Sequence, residues 1–296
     1  MKLPSNRSGL VTLIVVLAAG LCFAPASQAQ YGPAGRSAQA QAPPPDTHSQ
    51  TPAKTPATQA AAAPADPEED KAYKSFTDAA AKTDAFDQQI QAGEQYLQKY
   101  PTGHYVEQVY ARLVNPYLQK QQLDKMYAAG DKALALNPDD VTVLVLVGWV
   151  IPHYYNPNDV EADRRLAKAE AYEKHALDLL AKMPKPDGVT DEQFAKSKKG
   201  ALEQAHSGLG LVYFREQNIE NSVTEMKSAT ELDPTADQVD YYVLGIGLTS
   251  LKRYSEAADA FQKCSQTPNA VQDRCTRGLA EAKKQAATQP AAPAPK

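Results

Sequence analysis

The sequence has few of the residues that usually mark a chemical site. Its 296 residues include three Cys and five His. No C-x-x-C and no H-E-x-x-H motif occurs, which excludes the common redox and zinc signatures. Ser207 lacks a G-x-S-x-G elbow, and Gly208-Leu209-Gly210 follows no strand pattern, which excludes a hydrolase elbow and a phosphate loop. The net charge of −4 comes without a basic stripe, so a nucleic-acid partner is not expected.

Carboxylates are plentiful, yet none is expected to lie in an apolar setting that would raise its pKa. The sequence therefore offers no catalytic residue, no set of metal ligands and no cofactor motif. It predicts a protein that is not an enzyme and that needs no cofactor. The alternative is an enzyme whose reacting groups converge only in the folded chain.

The N-terminus predicts export. Lys2 and Arg7 precede an apolar run over residues 10–24, and this run is shorter than the roughly 20 residues of a membrane-spanning helix. The small residues expected before a signal-peptide cleavage site end at Ala29. Residues 1–29 are therefore predicted to be a signal peptide cut after Ala29, with an uncleaved anchor as the alternative. We expect a periplasmic or envelope-associated protein.

The chain divides by composition behind that signal. Leu21 directly precedes Cys22, and this bulky residue argues against lipidation of Cys22. Residues 30–65 are rich in Ala, Pro, Gln, Ser and Thr, so they are predicted to form a disordered, extended tether. Residues 288–296 have the same character and are predicted to be a disordered tail. Residues 66–287 are predicted to form one repeat domain.

Two consecutive stretches near the C-terminus repeat one pattern. Residues 203–236 contain, at fixed spacing, Leu209, Gly210, Tyr213, Ser222, Met226, Ala229 and Pro234. Residues 238–271 keep nearly the same offsets with Tyr241, Leu244, Gly245, Leu248, Ala257, Phe261, Cys264 and Pro268. This order and spacing resembles the tetratricopeptide repeat, a helix–turn–helix unit of about 34 residues.

Three weaker copies of the pattern are predicted upstream. They are assigned to residues 69–102, 107–140 and 141–186. Gly130 stands where the repeat has a bulky residue, and an insertion at Asn156-Pro157-Asn158-Asp159 displaces the second helix of the third unit. The Val-rich run over residues 141–150 is predicted to be the most buried helix of the domain.

The resemblance implies an all-α fold, a right-handed α-solenoid of about five helix hairpins with a disordered N-terminal linker. A solenoid also needs a polar-faced end, and residues 270–287 are predicted to form this capping helix. The start signals of the helices agree with the pattern. Asp66 before Pro67 and the capping box at Thr190 predict helix starts, and Asn218 and Ser255 are predicted caps of second helices.

The resemblance also implies a concave groove lined by the first helix of each hairpin. The residues predicted to line a partner-binding groove are Arg112, Asn115, Trp149, His153, Leu211, Arg215, Tyr242, Ile246 and Thr249. Trp149 and Tyr242 are the expected aromatic anchors for a docked peptide. Asn115 is expected to hydrogen-bond to the backbone amide of that peptide. The alternative for Trp149 and Leu211 is a place in the core between neighbouring helices.

Two Cys remain after removal of the signal peptide, Cys264 and Cys275. Two thiols in an exported protein favour one disulfide, and adjacent antiparallel helices can bring two such residues within bonding distance. The alternative is a pair of buried small side chains, since Cys264 occupies a position where the repeat has Ala.

The resemblance implies a non-catalytic scaffold or adaptor that binds a protein or peptide in its groove. The partner's identity, membrane proximity through the N-terminus and self-association all stay open. Residues 95–101, followed by Tyr105, also resemble the opening repeats of envelope proteins that assemble outer-membrane proteins, which is the alternative function. The family's chaperone-binding branch has Lys and Asn four residues apart on a first helix. No such pair stands at matching positions, so binding of acidic C-terminal tails is not implied.

Overall fold

The computed structural model describes residues 66–82, 84–233 and 237–288. The predicted signal peptide and linker lie outside these residues, and so does the predicted tail apart from Thr288. All regular elements of the described part are α-helices. They are α1 (Pro67–Ala80), α2 (Phe86–Lys99), α3 (Val106–Gln119), α4 (Leu123–Leu136), α5 (Val141–His153), α6 (Ala162–Lys182), α7 (Asp191–Arg215), α8 (Ile219–Leu232), α9 (Gln238–Ser250), α10 (Tyr254–Ser265) and α11 (Gln272–Thr288).

The helices pack as five consecutive hairpins followed by α11. Each odd-numbered helix packs against the helix that follows it, and the first helices of neighbouring hairpins also touch: α3 contacts α5, α5 contacts α7, and α7 contacts α9. The last helix, α11, packs against both α9 and α10. The predicted all-α solenoid of helix hairpins is thus confirmed. Within the described ranges, none of the helices is both long and apolar enough to cross a membrane.

Three of the hairpins share one turn geometry. Gln121, Gln217 and Lys252 stand two residues after their first helix and have positive φ values of 55°, 63° and 59°. The next residue then donates its backbone N–H to a carbonyl in the last turn of that helix, as from Asn218 to Tyr213 at 2.8 Å. This is the Schellman arrangement, which satisfies helix-terminal carbonyls and reverses the chain. The α5–α6 connection, with its insertion, has no residue of positive φ.

The predicted helix starts are confirmed in part. Asp66 accepts a hydrogen bond from the backbone N–H of Glu68 at 3.0 Å, and Thr190 forms the predicted capping box. Asn218 stands at the N-cap of α8 without a capping hydrogen bond from its side chain. The N-cap of α10 is Arg253 and not Ser255, so that prediction was wrong. Because of the shared turn, α10 begins two residues earlier than a cap at Ser255 would predict.

The core consists of two consecutive sets of buried apolar residues. One set of buried apolar residues extends from Phe76 to Val212 and a second from Leu211 to Ala282, and both include residues of α7. The helix α5 has nine buried residues, in agreement with its predicted burial. Gly130, which departs from the repeat pattern, lies where an added Cβ would come within 2.7 Å of the Val147 side chain. Val147 therefore occupies the space that the missing bulky side chain would fill.

Candidate functional site

The predicted groove residues all lie on first helices, but they differ in exposure. Arg112 and Arg215 are exposed. Partial exposure is found for Asn115, His153, Tyr242, Ile246 and Thr249. Because α3, α5, α7 and α9 contact one another in order, these side chains belong to one series of adjoining helices. Tyr242 also packs at a ring-centroid distance of 6.3 Å from Phe261 of the following helix.

Two of the predicted groove residues are buried. Trp149 is 7% exposed and Leu211 is 3% exposed, so neither offers a surface to a docked peptide. The assignment of these two residues to the groove was wrong, and the alternative place in the core applies. The reason is the close approach of α5 and α7, where Gly208 brings the two backbones together: an added Cβ there would lie 3.1 Å from the Cα of Trp149.

A chain of buried hydrogen bonds links α5, α7 and α9. The indole Nε1–H of Trp149 donates to the hydroxyl of Ser207 at 3.3 Å. Ser207 in turn donates to Oδ1 of Asp240 at 2.8 Å. Trp149 thus acts as a hydrogen-bond donor between first helices, and Ser207 relays the interaction to a third helix.

Asp240 is a buried acid whose carboxyl group is only partly hydrogen-bonded. It is 1% exposed, and its Oδ2 has no hydrogen-bond partner among the described residues. Burial raises the pKa of Asp240 well above its ordinary value, and the carboxylate of Asp237 adds to this rise. The hydrogen bond from Ser207 lowers the pKa, and the charge of Glu203 raises it further. Asp240 therefore faces other acids across the α7–α9 contact.

Glu203 is the second acid of this group. Burial, together with the charges of Asp233 and Asp237, raises the pKa of Glu203 to about 7. We call Glu203, Asp233, Asp237 and Asp240 the acidic cluster. Its residues come from α7, from the end of α8 and from the start of α9. The expectation that no carboxylate lies in a setting that raises its pKa was therefore wrong.

His153 of α5 borders the acidic cluster. Its Nδ1 lies 2.6 Å from the carbonyl oxygen of Trp149, and because a carbonyl only accepts, Nδ1 carries the proton and donates. Nε2 is buried and has no partner within the described residues. Burial lowers the pKa of His153, whereas the Trp149 carbonyl and the charge of Asp237 act in the opposite direction. The neutral ring then has an unused acceptor at Nε2.

Arg215, at the C-terminal end of α7, contacts the end of α5 and the residues that follow it. Its Nε donates to the carbonyl oxygen of Pro152 at 3.2 Å, and its guanidinium lies 5.7 Å from the centre of the Tyr155 ring. The Arg215 side chain therefore holds α7 against the end of α5. Its charge lowers the pKa of His153, an effect smaller than that of burial.

A further buried acid, Glu173, lies on α6. Glu173 is fully buried, neither carboxylate oxygen has a partner in the part of the chain that the structure describes, and burial raises the pKa of Glu173 well above its ordinary value. A Cβ on Gly148 would lie 2.6 Å from Oε1, and a Cβ on Gly208 would lie closer still. The Glu173 side chain thus fills the space between two glycines.

The sequence contains a pattern that indicates the burial of Glu173. The buried positions of α6 include residues 166, 169, 173, 176 and 180, which is the three-and-four spacing of one helical face. Glu173 stands in the middle of that apolar stripe. No comparable signal marks Ser207 or Asp240, because their bond joins positions 33 residues apart.

The predicted cysteine pair is joined in the structure. Cys264 of α10 and Cys275 of α11 form a disulfide with a Cα–Cα distance of 5.8 Å. Both residues are fully buried. We call this bond the C-terminal disulfide, and it ties the last helix to the fifth hairpin. Among the described residues, no group of three His, Cys, Asp or Glu side chains is placed to hold a metal ion.

The architecture defines a class of protein: an α-solenoid of helix hairpins in which neighbouring first helices form a continuous series. The sequence profile of the tetratricopeptide repeat matches residues 203–235, which span the end of α7 and all of α8. The chain thus contains a tetratricopeptide repeat at residues 203–235, and repeats of this kind are scaffolds for protein–protein interaction.

The fold is similar to those of other proteins of solved structure. PilW, a widely conserved type IV pilus biogenesis factor, is similar with a TM-score of 0.51 and 15% identity, over 75% of this chain and 89% of PilW. TTC0263, a thermophilic TPR protein of Thermus thermophilus, has a TM-score of 0.43 and 16% identity, over 73% of this chain and 99% of its own. At these identities the likeness concerns the fold alone. In the comparison with curated proteins, no sequence matches.

Proposed function

We propose that this protein is a non-catalytic adaptor of the cell envelope that binds a protein or peptide along its first helices. The observation that carries this proposal is the series of accessible side chains on adjoining first helices. Asn115 lies on α3, His153 on α5, and Tyr242 and Thr249 on α9. An extended ligand that crosses these helices would meet polar and aromatic groups in turn, as in other groove complexes.

The envelope location rests on the sequence of the N-terminus. A basic start and a short apolar run ending before Ala29 have the organisation of a secretory signal. The C-terminal disulfide is in keeping with an oxidising compartment, where such bonds persist. The location is tested by N-terminal sequencing of the mature chain, for which we expect Gln30 as the first residue. A mature chain that begins at Met1 or Lys2 would instead support an uncleaved anchor.

Site-specific photocrosslinking in intact cells tests the adaptor function. A photoreactive residue is placed at Asn115 or Thr249 on first helices, and at Leu136 of α4 as the control. Leu136 is 58% exposed on a second helix, so it reports contacts outside the proposed groove. We expect one shared partner at positions 115 and 249 and none at 136. A partner captured only from position 136 would contradict the groove.

A matched pair of alanine variants extends this test. Tyr242→Ala removes an accessible aromatic ring from a first helix, whereas Leu136→Ala removes a more exposed apolar side chain from a second helix. We expect Tyr242→Ala to reduce the crosslink from position 249 and Leu136→Ala to leave it unchanged. Equal yields in both variants, with both proteins folded, would contradict a role for Tyr242 in binding.

A further inference from the structure

We propose that the C-terminal disulfide is a redox-sensitive lock on the partner-binding groove. Its reduction frees α11 from the fifth hairpin and changes the position of Tyr242, the accessible aromatic residue of α9. The proposal concerns the regulation of the adaptor function and rests on it, because that function gives Tyr242 its role. The argument depends on one buried aromatic ring that contacts both α11 and the groove helix α9.

The buried ring belongs to Phe261 of α10. It is 4% exposed and is contacted by glycines of two other helices. An added Cβ would lie 2.6 Å from the ring at Gly245 of α9 and 2.7 Å from it at Gly278 of α11. Both added atoms would meet the same three ring carbons. Because the packing is this close, a shift of α11 changes the surroundings of the ring atoms that α9 also contacts.

The disulfide lies one helical turn from this contact on both helices. Cys264 follows Phe261 by three residues on α10, and Cys275 precedes Gly278 by three residues on α11. Residues three positions apart lie on the same face of a helix. The Cα atoms of the two cysteines are 5.8 Å apart. The bond therefore holds together the same interface in which Gly278 contacts Phe261.

The apolar contact of α11 itself is small. The two buried residues of α11 are Cys275 and Ala282, while Val271 and Leu279 pack against the same core in partly buried positions. Small side chains remove little apolar surface from water, so they stabilise a contact less than large ones do. In contrast, α5 has nine buried residues, most of them large. The disulfide therefore supplies a large share of the free energy that keeps α11 in place.

The ring also touches the groove. The centroids of the Tyr242 and Phe261 rings are 6.3 Å apart, a distance at which aromatic rings interact favourably. Gly245 stands three residues after Tyr242, and its carbonyl accepts a hydrogen bond from the Thr249 hydroxyl at 2.8 Å. The contact of Phe261 with α9 thus lies between two accessible groove residues. A displaced Phe261 ring would change the surroundings of both.

Reduction requires both an opening of α11 and a source of electrons. Cys264 and Cys275 are fully buried, so a reductant reaches the bond only after α11 has moved aside. A dithiol, such as that of a thiol–disulfide oxidoreductase, supplies two electrons and two protons. Its thiolate attacks one cysteine sulfur to form a mixed disulfide, and its second thiol then displaces that cysteine. The products are two thiols in this chain and one disulfide in the reductant.

The size of the effect follows from chain entropy. The bond closes a separation of 11 residues, and it constrains the open state of α11 as it constrains an unfolded chain. The open state should become roughly 100-fold more populated on reduction, as the chain-entropy model gives for a loop of this length. The change is expected to be local, because α11 packs against α9 and α10 at the end of the series of hairpins.

Hydrogen exchange with mass spectrometry tests the opening on the mature full-length chain, before and after treatment with dithiothreitol. We expect amide exchange in α11 to rise by up to roughly 100-fold and exchange in α3 and α4 to stay unchanged. A variant with both Cys264→Ala and Cys275→Ala should show the faster exchange with or without dithiothreitol. Unchanged exchange in α11 after complete reduction, or equal acceleration along the whole chain, would overturn the lock.

Fluorine NMR tests the coupling to the groove without a partner. Fluorotyrosine is placed at Tyr242, and at the partly exposed Tyr110 of α3 as the control. Reduction should shift the resonance of Tyr242 and leave that of Tyr110 in place. With the disulfide intact, Gly278→Ala should also shift the Tyr242 resonance, since its Cβ meets the Phe261 ring. Thr276→Ala, at an exposed position of α11, should not. A Tyr242 resonance that is unaffected by both reduction and Gly278→Ala would refute the coupling.

Crosslinking in cells distinguishes failure of the lock from failure of the adaptor function. In the variant that lacks both cysteines, the crosslink from Thr249 should fall several-fold, in keeping with the weakening of one aromatic contact. Crosslinks from Asn115 and Thr249 that persist undiminished in this variant would overturn only the lock. Redox-dependent exchange and fluorine shifts without a crosslink from either position would instead overturn the adaptor function.

Discussion

Replacement of Glu173 should change how stability depends on pH. The Glu173 side chain is fully buried on α6, neither of its oxygens has a partner among the described residues, and Gly148 and Gly208 enclose it. An ionised carboxylate in such a place would be very unfavourable, so the folded protein keeps the group protonated. Burial is the cause of its raised pKa.

The direction and size of the effect follow from proton linkage. In the unfolded chain Glu173 titrates near its ordinary pKa of 4.5. Above that pH the unfolded state has released the proton, whereas the folded state retains it up to the raised pKa. The folded state then binds one more proton, so the free energy of unfolding falls by about 1.4 kcal/mol per pH unit. A rise of two pH units between the ordinary and the raised pKa therefore costs about 2.7 kcal/mol of stability.

Urea denaturation followed by far-UV circular dichroism measures this slope. Glu173→Gln keeps the size of the side chain and removes the titration, so its free energy of unfolding should fall less steeply with pH, by about 1.4 kcal/mol per unit. Asp178→Asn, an exposed acid on the same helix, is the matched control and should keep the slope of the unaltered protein. If Glu173→Gln also keeps that slope, Glu173 is ionised in the fold and the reasoning is refuted.

Three other predictions concern packing and bonds. Gly148→Ala should destabilise the fold by about 1–3 kcal/mol, because its Cβ would meet the Glu173 carboxyl. Gly200→Ala, an open helical position on α7, should instead stabilise it by up to ~1 kcal/mol in the same urea denaturation. Ser207→Ala should cost about 1–3 kcal/mol by leaving two buried groups without their bond, whereas the exposed Ser197→Ala should change little. Reduction of the C-terminal disulfide, which closes an 11-residue separation, should lower stability by about 2–3 kcal/mol in thermal or urea unfolding.

Local sequence signals predicted the helices well. The capping box at Thr190 and the cap at Asp66 depend on residues within three positions, so a single sequence contains all of the relevant information. The Leu209-Gly210 spacing likewise predicted a close helix contact, and an added Cβ at Gly210 would lie 3.0 Å from Met226. The start of α10 was missed because a left-handed residue at Lys252, with no glycine to indicate it, sets the turn.

The candidate site depends on long-range contacts, which the spacing of residues in the sequence does not reveal. Trp149 donates a hydrogen bond to Ser207, 58 residues away, and it is buried where Gly208 lets α5 and α7 meet. The raised pKa of Glu203 follows from acids at the end of α8 and the start of α9. Only Glu173 could have been found earlier, from its place on the apolar stripe of α6. In each case the sequence shows the type of side chain, but it does not show which distant residue that side chain contacts.

The two buried acids differ in what can compensate them. Glu173 is enclosed by helix backbones at Gly148 and Gly208, so no ligand can reach it without separating α5 from α7, and its effect is confined to stability. Asp240 is equally buried, but it belongs to a cluster that includes the partly exposed Glu203. Burial and the charges of Asp237 and Glu203 raise the pKa of Asp240, whereas the hydrogen bond from Ser207 lowers it. For Glu173 burial is the cause of the raised pKa, so neighbouring side chains affect the charge state of Asp240 but not that of Glu173.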